Sequence, residues 1–155
     1  MTQKLIRAAL IAALYVVLCI VFQPISYGVV QLRLAEGLTL LPILYLEAVP
    51  GLFVGALVAN MYGGLGLVDV MGGSLTTLLA AAVTYYFRGS ILSYLSPVVF
   101  NAFLVSAYLH LLFKWPYWLT VLSIGLSEGL VVFTLGHGLV TVLKRYGAKL
   151  EARSK

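Results

Sequence analysis

Charged side chains are scarce in this sequence. Asp, Glu, Lys and Arg together make up 10% of its 155 residues, against about 25% in a typical soluble domain. Hydrophobic residues make up 62%, and the mean hydropathy is +1.05. Because a chain of this length cannot hide so much apolar surface from water, we predict an integral membrane protein with one transmembrane domain, residues 1–155.

Cysteine and several common catalytic motifs are also scarce or absent. The only cysteine, Cys19, cannot form an internal disulfide and cannot make a metal site alone. The sequence has no GxxxxGKS/T phosphate loop, no HExxH and no CxxC. We therefore predict a chain that is not an enzyme and has no metal site, no catalytic residues and no cofactor of its own.

The sequence also lacks the alternation of polar and apolar residues that is typical of a membrane barrel. Since backbone groups in lipid must pair internally, its continuous apolar runs predict helices. We predict an all-α integral membrane bundle of six transmembrane helices, at about residues 4–23, 34–47, 50–62, 71–87, 94–113 and 118–144. Pro50 suits the first turn of the third helix. The second and third runs are shorter than the ~20 residues of a usual span.

Basic residues are distributed unevenly among the predicted loops. With six helices, Lys4, Arg7, Arg88 and the basic C-terminal tail fall on one side, and only Arg33 and Lys114 fall on the other. The positive-inside rule makes the first side cytoplasmic. We therefore predict a multi-pass protein of the cytoplasmic membrane with both termini inside. The basic tail is interpreted as a topology signal beside anionic lipid, not as a nucleic-acid site.

Polar residues within the apolar runs are the candidates for a functional site, because a carboxylate at mid-bilayer costs about 2.5–3.5 kcal/mol on insertion scales. Glu128 lies roughly 15 Å from the outer end of the sixth predicted helix, and Asn101 lies roughly 18 Å from the outer end of the fifth. Because these helices are antiparallel neighbours, we expect the two side chains at similar depth. They either bind a ligand or form a structural hydrogen bond between helices.

Further polar residues fall near the predicted outer face. Arg33 and Glu36, at i and i+3, either form an ion pair or hold a lid over a pocket. Asp69 either caps the fourth helix or contacts a ligand. Gln31 is a candidate to reach a ligand from the outer loop. For Asn60 a structural role is slightly favoured.

Aromatic residues and histidines are also found near the ends of the predicted helices. Tyr108 is one of several aromatic residues that either form an interfacial belt or stack on a flat ligand. His110 and His137 have no second ligand-type residue at metal-binding spacing. We therefore interpret both histidines as hydrogen-bonding residues.

Small residues repeat on the first predicted helix. Ala8, Ala9, Ala12 and Ala13 recur at i and i+4, a spacing that lets two helices approach closely in lipid. The spacing alone is equally compatible with packing inside the bundle and with a docking face for a second membrane subunit.

Several stretches of the sequence, in the same order, resemble the QueT family. These are the queuosine-precursor substrate-binding (S) components of energy-coupling factor (ECF) transporters. The similarity runs nearly end to end. The stretches are residues 8–15, 24–28 (PISYG), 31–36 (QLRLAE), 47–53 (EAVPGLF), 64–69 (GLGLVD), 97–102 (PVVFNA) and 125–128 (GLSE).

The resemblance implies an S-component bundle with a substrate pocket near the outer face, covered by the loop between helices one and two. It also implies that the alanine face of helix one docks on a membrane T subunit. Two cytoplasmic ATPases would use ATP to drive toppling of the S component and release of the substrate inward. The implied substrate is a 7-deazaguanine such as 7-aminomethyl-7-deazaguanine, 7-cyano-7-deazaguanine or queuine.

The chemistry of such a base can be matched to the candidate residues. Glu128 could accept the ring N–H and the exocyclic amine of a guanine-like edge. Asn101 or Gln31 could donate to the neighbouring carbonyl, and Asp69 or Glu36 could balance a cationic aminomethyl group. One alternative is a stand-alone ion-coupled carrier of a small nucleobase-like solute. Another is a membrane enzyme acting on a lipid, for which the sequence offers no close carboxylate motif.

Overall fold

The chain folds as a bundle of helices. The computed structural model describes residues 1–26 and 32–153, with side chains described up to residue 147. Over these residues it contains seven helices and no strand. They are α1 (Thr2–Val21), α2 (Gln23–Ser26), α3 (Leu34–Ile43), α4 (Ala48–Gly63), α5 (Leu67–Tyr86), α6 (Leu92–Phe113) and α7, whose consecutive segments are Tyr117–Val131, Val132–Gly136 and His137–Arg153.

Four of these helices are long and apolar enough to cross a membrane, namely α1, α5, α6 and the Tyr117–Gly147 part of α7. Large hydrophobic side chains such as Leu10, Leu79 and Leu126 are exposed on the outside of the bundle, as contact with lipid requires. The chain is therefore an all-helical, multi-pass membrane protein, and this part of the prediction is confirmed.

The predicted count of six helices was wrong by one, because the described chain has seven. The additional helix is the single turn α2, directly after α1. Pro24 explains it: proline lacks the N–H that would continue α1, yet its fixed φ suits the first turn of a new helix. Pro50 lies in the first turn of α4, as predicted.

Helix α3 departs furthest from the predicted second span. It is a ten-residue 3₁₀ helix, and every residue from 35 to 43 is buried. At about 2 Å per residue it is roughly 20 Å long, short of the ~30 Å hydrocarbon core of a bilayer. A helix that is apolar and enclosed on all sides belongs to the interior of a bundle. Helix α3 therefore forms part of the core against which longer helices pack.

Two glycines bring α4 into backbone contact with α1. A Cβ atom on Gly51 would lie 2.7 Å from the carbonyl oxygen of Ala8. A Cβ atom on Gly55 would lie 2.9 Å from Tyr15 Cβ and 3.1 Å from the carbonyl oxygen of Ala12. Because Gly51 and Gly55 are four residues apart on one face, the absent side chains allow the two helices to pack closely.

This contact divides the predicted alanine face of α1. Ala8 and Ala12 are partly buried beside α4, whereas Ala9 and Ala13 are exposed. An apolar groove of about 300 Å³ remains open between α1 and α4, lined by Leu5, Ala8, Ala9, Ala12, Pro50, Gly51 and Val54. Internal packing thus accounts for part of the repeat, and docking of a membrane subunit stays a prediction.

Helix α6 contains a π turn, Asn101–Val105. Pro97, one turn earlier, has no N–H to donate to the carbonyl oxygen of Ser93. That oxygen instead accepts a hydrogen bond from Thr84 Oγ1 of α5 at 3.1 Å. Such π turns are frequent at functional sites, and this one begins at Asn101.

A second π turn, Val132–Gly136 of α7, contacts α3. A Cβ atom on Gly136 would lie 3.0 Å from the carbonyl oxygen of Gly37. This close approach holds α3 against α7. Glu36, the residue before Gly37, is consequently carried into the interior and is 1% exposed.

Candidate functional site

Four polar side chains from four helices form a continuous hydrogen-bonded cluster inside the bundle. The Tyr15 hydroxyl of α1 donates to Glu36 Oε1 of α3. Asn101 Nδ2 of α6 lies 3.4 Å from Glu36 Oε2 and 2.8 Å from Glu128 Oε1 of α7, and donates to both. All four residues are buried. Glu128 and Asn101 therefore meet as their depths predicted, and their role towards a ligand stays a prediction.

The amide nitrogen of Asn101 is shared between two carboxyl groups. It carries two hydrogens, so that Glu36 and Glu128 can each accept one of them. An ionised carboxylate offers about four acceptor positions. The two carboxyl groups therefore keep acceptor capacity that a ligand with several N–H donors could use.

The positively charged guanidinium of Arg33 lies beside this cluster. Its Nη2 donates to Asn60 Oδ1 at 2.9 Å, and its Nε donates to the carbonyl oxygen of Ser26 at 3.4 Å. Asn60 is fully buried on α4, and its Nδ2 lies 3.5 Å from the carbonyl oxygen of Asp69. Asn60 thus orients the guanidinium, and the choice between a structural and a ligand-binding role stays a prediction.

A small cavity lies between these groups, lined by Arg33, Glu36, Asn101, Val105, Ile124 and Glu128. Its volume is about 10 Å³, which is room for about one water molecule. Pockets for drug-sized ligands measure roughly 300–1,000 Å³. A base can therefore bind here only if part of the lining moves apart. The apolar side chains of Val105 and Ile124 are the ones that can yield without breaking a hydrogen bond.

Asp69 lies beside Tyr108, next to this cavity network. Gly66 is the N-cap residue of α5, and no side-chain hydrogen bond caps that helix. Asp69 Oδ1 accepts a hydrogen bond from the Tyr108 hydroxyl at 2.8 Å. Asp69 Oδ2 is buried and has no hydrogen-bond partner within residues 1–26 and 32–147. Asp69 therefore does not cap α5. Its contact with a ligand stays a prediction.

The remaining candidates are placed as follows. Tyr108 is partly buried, its ring packs against Gly72 of α5, and its hydroxyl lies near Gly73. Arg33 and Glu36 line one cavity, each with its own hydrogen-bond partners. Gln31 lies outside the described residues.

Tyr15 is the member of the cluster that the sequence did not indicate. It lies in an uninterrupted apolar run of α1, where an aromatic residue is expected to pack in the core. The only signal is its hydroxyl, because a buried tyrosine hydroxyl usually finds a hydrogen-bond partner. Which partner it finds depends on the packing of α3 against α1.

Two features that resemble catalytic or metal motifs have structural partners. Residues 125–129 carry the GxSxG spacing of a nucleophile elbow, which requires a sharp turn from strand to helix. Here they lie inside α7, and Ser127 Oγ donates to the carbonyl oxygen of Ile124 at 3.0 Å. His110 Nδ1 lies 2.6 Å from the carbonyl oxygen of Trp115, and His137 Nδ1 lies 3.2 Å from the Tyr94 hydroxyl. Both histidines are hydrogen-bonding residues, as interpreted.

Comparison with known families gives one match. The model of a family described as QueT transporter matches residues 5–145. The matched range contains all four cluster residues. Comparisons with curated proteins and with solved structures find no match.

Proposed function

The chain belongs to the QueT transporter family, and we propose that it is the substrate-binding S component of an ECF importer for a queuosine precursor. It belongs to a transporter family and has several apolar helices long enough to cross a membrane, so it is a multi-pass membrane protein with a role in transport. In the proposal the single domain binds a 7-deazaguanine, catalyses no reaction and holds no cofactor. Uptake depends on a membrane T subunit and on two cytoplasmic ATPases that use ATP.

The observation that carries the proposal is the convergence of Glu36, Asn101 and Glu128 from three helices. A guanine-like edge presents a ring N–H and an exocyclic amine, which one carboxylate can accept together. The neighbouring carbonyl oxygen needs a donor, and the Arg33 guanidinium can supply it. The Asn101 amide can supply it only when the base displaces Glu36 or Glu128 from one of its two hydrogens. Charge-assisted hydrogen bonds of this kind contribute roughly 1.5–3 kcal/mol each.

The other candidates take supporting roles. Asp69 or Glu36 balances a cationic aminomethyl group on the base, and the buried Oδ2 of Asp69 is suited to accept from it. Tyr108 holds Asp69 in place, and Asn60 holds Arg33. Gln31 belongs to the loop that would cover the pocket.

The partner surface of the proposal is the open groove between α1 and α4. It is lined by apolar residues with small side chains at its centre, which suits close approach of another membrane helix. In this arrangement both termini and Arg88 lie in the cytoplasm, and the chain resides in the cytoplasmic membrane.

The proposal is tested by ligand binding to the purified chain in detergent. Thermal-shift titration and calorimetry with the three bases should show one-to-one binding, and Glu128→Ala should abolish it. Glu128→Gln serves as a second variant of the same size. Glu47→Gln is the matched control, because the Glu47 carboxyl pairs with Arg7 outside the cluster.

Two results would contradict the proposal. A wild-type chain that binds none of the three bases would refute the function. A Glu128→Ala variant with wild-type affinity would refute the site.

The alternative of a stand-alone ion-coupled carrier is favoured by one observation. Buried carboxyl groups such as Glu36 and Glu128 also occur in the proton pathways of membrane carriers. A carrier would move the base into liposomes that lack ATPases when an ion gradient is applied. An S component without its partners would not transport under those conditions.

A further inference from the structure

Tyr15 connects the contact between α1 and α4 to the candidate binding cluster. Its side chain is fully buried in a core formed with Ile11, Leu38 and Leu52, among others. Its Cβ atom lies against Gly55, where α4 comes closest to this part of α1. At the other end of the ring, the hydroxyl donates to Glu36 Oε1. The Tyr15 side chain thus connects the contact between α1 and α4 to the Glu36 carboxyl group, which lines the cavity.

The two oxygens of the Glu36 carboxyl have different partners. Oε1 accepts from Tyr15, whereas Oε2 accepts from Asn101, and Glu36 is one of the residues that line the cavity. The last torsion angle of a glutamate side chain is broad and only weakly fixed by its own stereochemistry. The Tyr15 hydroxyl therefore fixes one oxygen of this carboxyl, and the longer hydrogen bond from Asn101, at 3.4 Å, holds the other.

The position of Tyr15 itself is well determined. The backbone of α4 at Gly55 leaves no space on one side of its stem, and buried core residues surround the ring. The hydroxyl therefore reaches Glu36 from a fixed point. A free carboxyl would have to be ordered when a ligand binds, and that ordering would reduce the affinity.

We propose that Tyr15 is a positioning residue for the ligand, which orients the Glu36 carboxyl in the cavity without lining the cavity itself. This rests on the proposed function, in which Glu36 is one of the groups that contact the base. Removing the hydroxyl weakens ligand binding, and it does so through Glu36 alone.

The experiment is a double-mutant cycle with Tyr15→Phe, Glu36→Leu and the double variant. The probes are 7-aminomethyl-7-deazaguanine, 7-cyano-7-deazaguanine and queuine, and calorimetry gives each Kd. Tyr15→Phe keeps the ring packed against Gly55 and should weaken binding about tenfold. In the Glu36→Leu background the same change should have no further effect, because leucine has no acceptor for the Tyr15 hydroxyl to position.

The control is Tyr94→Phe. It also removes a hydroxyl contact, to His137 Nδ1, but that contact is exposed and does not involve the cluster. Its affinity should equal that of the wild type. The melting temperature of each ligand-free variant is measured in parallel, so that a loss of folded protein is not counted as a loss of affinity.

The outcomes separate the two proposals. If the wild type binds and Tyr15→Phe binds equally well, the positioning role is overturned and the proposed function stands. If Tyr15→Phe weakens binding by the same factor with and without Glu36→Leu, Tyr15 acts as a general structural residue and the inference is wrong. If the wild type binds none of the three bases, the proposed function fails and the inference fails with it.

Discussion

The side-chain amide of Asn101 donates to Glu128 Oε1 at 2.8 Å and so links α6 to α7 inside the bundle. The same nitrogen also donates to Glu36, which adds α3 to the link. One neutral side chain thus separates two buried carboxyl groups and gives each of them a donor.

Replacing Asn101 should therefore lower stability as well as ligand affinity. Asn101→Ala leaves the Glu36 and Glu128 carboxyl groups without their shared donor. Hydrogen bonds to charged groups are worth about 1.5–3 kcal/mol, so we expect a loss of that order in the free energy of unfolding. Denaturation of the ligand-free protein in detergent measures it. Thr134→Ala is the control, because the exposed Thr134 hydroxyl donates to the carbonyl oxygen of Leu130 in its own helix. Equal stability of the two variants would contradict the linking role.

A methyl group at Gly51 should destabilise the contact between α1 and α4. The new Cβ atom would lie 2.7 Å from a backbone oxygen of Ala8, which cannot rotate away. Overpacking of this kind costs about 1–3 kcal/mol, and Gly51→Ala should melt at a clearly lower temperature. In Gly138→Ala the added methyl group meets nothing within 4 Å, and alanine favours the helix. That control should be neutral or slightly more stable, and the reverse order would refute the packing argument.

Removal of the Tyr108 hydroxyl should lower stability, because this hydroxyl donates a hydrogen bond to the buried Asp69 carboxyl. Tyr108→Phe leaves both Asp69 carboxyl oxygens without a hydrogen-bond donor among residues 1–26 and 32–147, which costs about 1–3 kcal/mol. The melting temperature of the ligand-free protein should fall. In an Asp69→Ala background the same change should have much less effect, because no buried acceptor is left unpaired. Tyr62→Phe, which removes an exposed hydroxyl near Gln23, should melt like the wild type. A fall of equal size in both backgrounds would show that Tyr108 acts through something other than Asp69.

The orientation of the chain can be tested by cysteine labelling. The native Cys19 is 1% exposed, so that a membrane-impermeant maleimide should leave it unmodified. Lys114→Cys and Arg88→Cys place thiols in exposed loops at opposite ends of the bundle. In intact cells Lys114→Cys should be labelled, and Arg88→Cys should react only after the cells are permeabilised. The opposite pattern would reverse the proposed topology.

The long helices could be predicted from the sequence alone. The apolar runs placed α5 at about 71–87 and α6 at about 94–113, and the helices are Leu67–Tyr86 and Leu92–Phe113. The nature of α3 could not be predicted in this way. An apolar run looks the same whether lipid or protein surrounds it, and only the packing of Gly37 against Gly136 distinguishes the two.

The site was predictable to a similar extent. The contact between Glu128 and Asn101 needed only the rise of two antiparallel helices. Glu36 joins this pair because α3 is a 3₁₀ helix, and the sequence did not predict that helix type. Tyr15 depends on that helix in turn, so its hydrogen bond could be found only from the tertiary structure.

The enclosure of α3 has a consequence for how the molecule is made. Chains are synthesised from the N-terminus, and early segments can begin to fold before later ones exist. Gly37 of α3 packs against Gly136, near the other end of the chain, and Glu36 shares its donor with Glu128. Until α7 has been synthesised, α3 lacks the helix that packs against Gly37. The candidate binding site is thus the last part of the protein to be completed, and a chain truncated before α7 would leave the Glu36 carboxyl beside an unfilled side of the bundle.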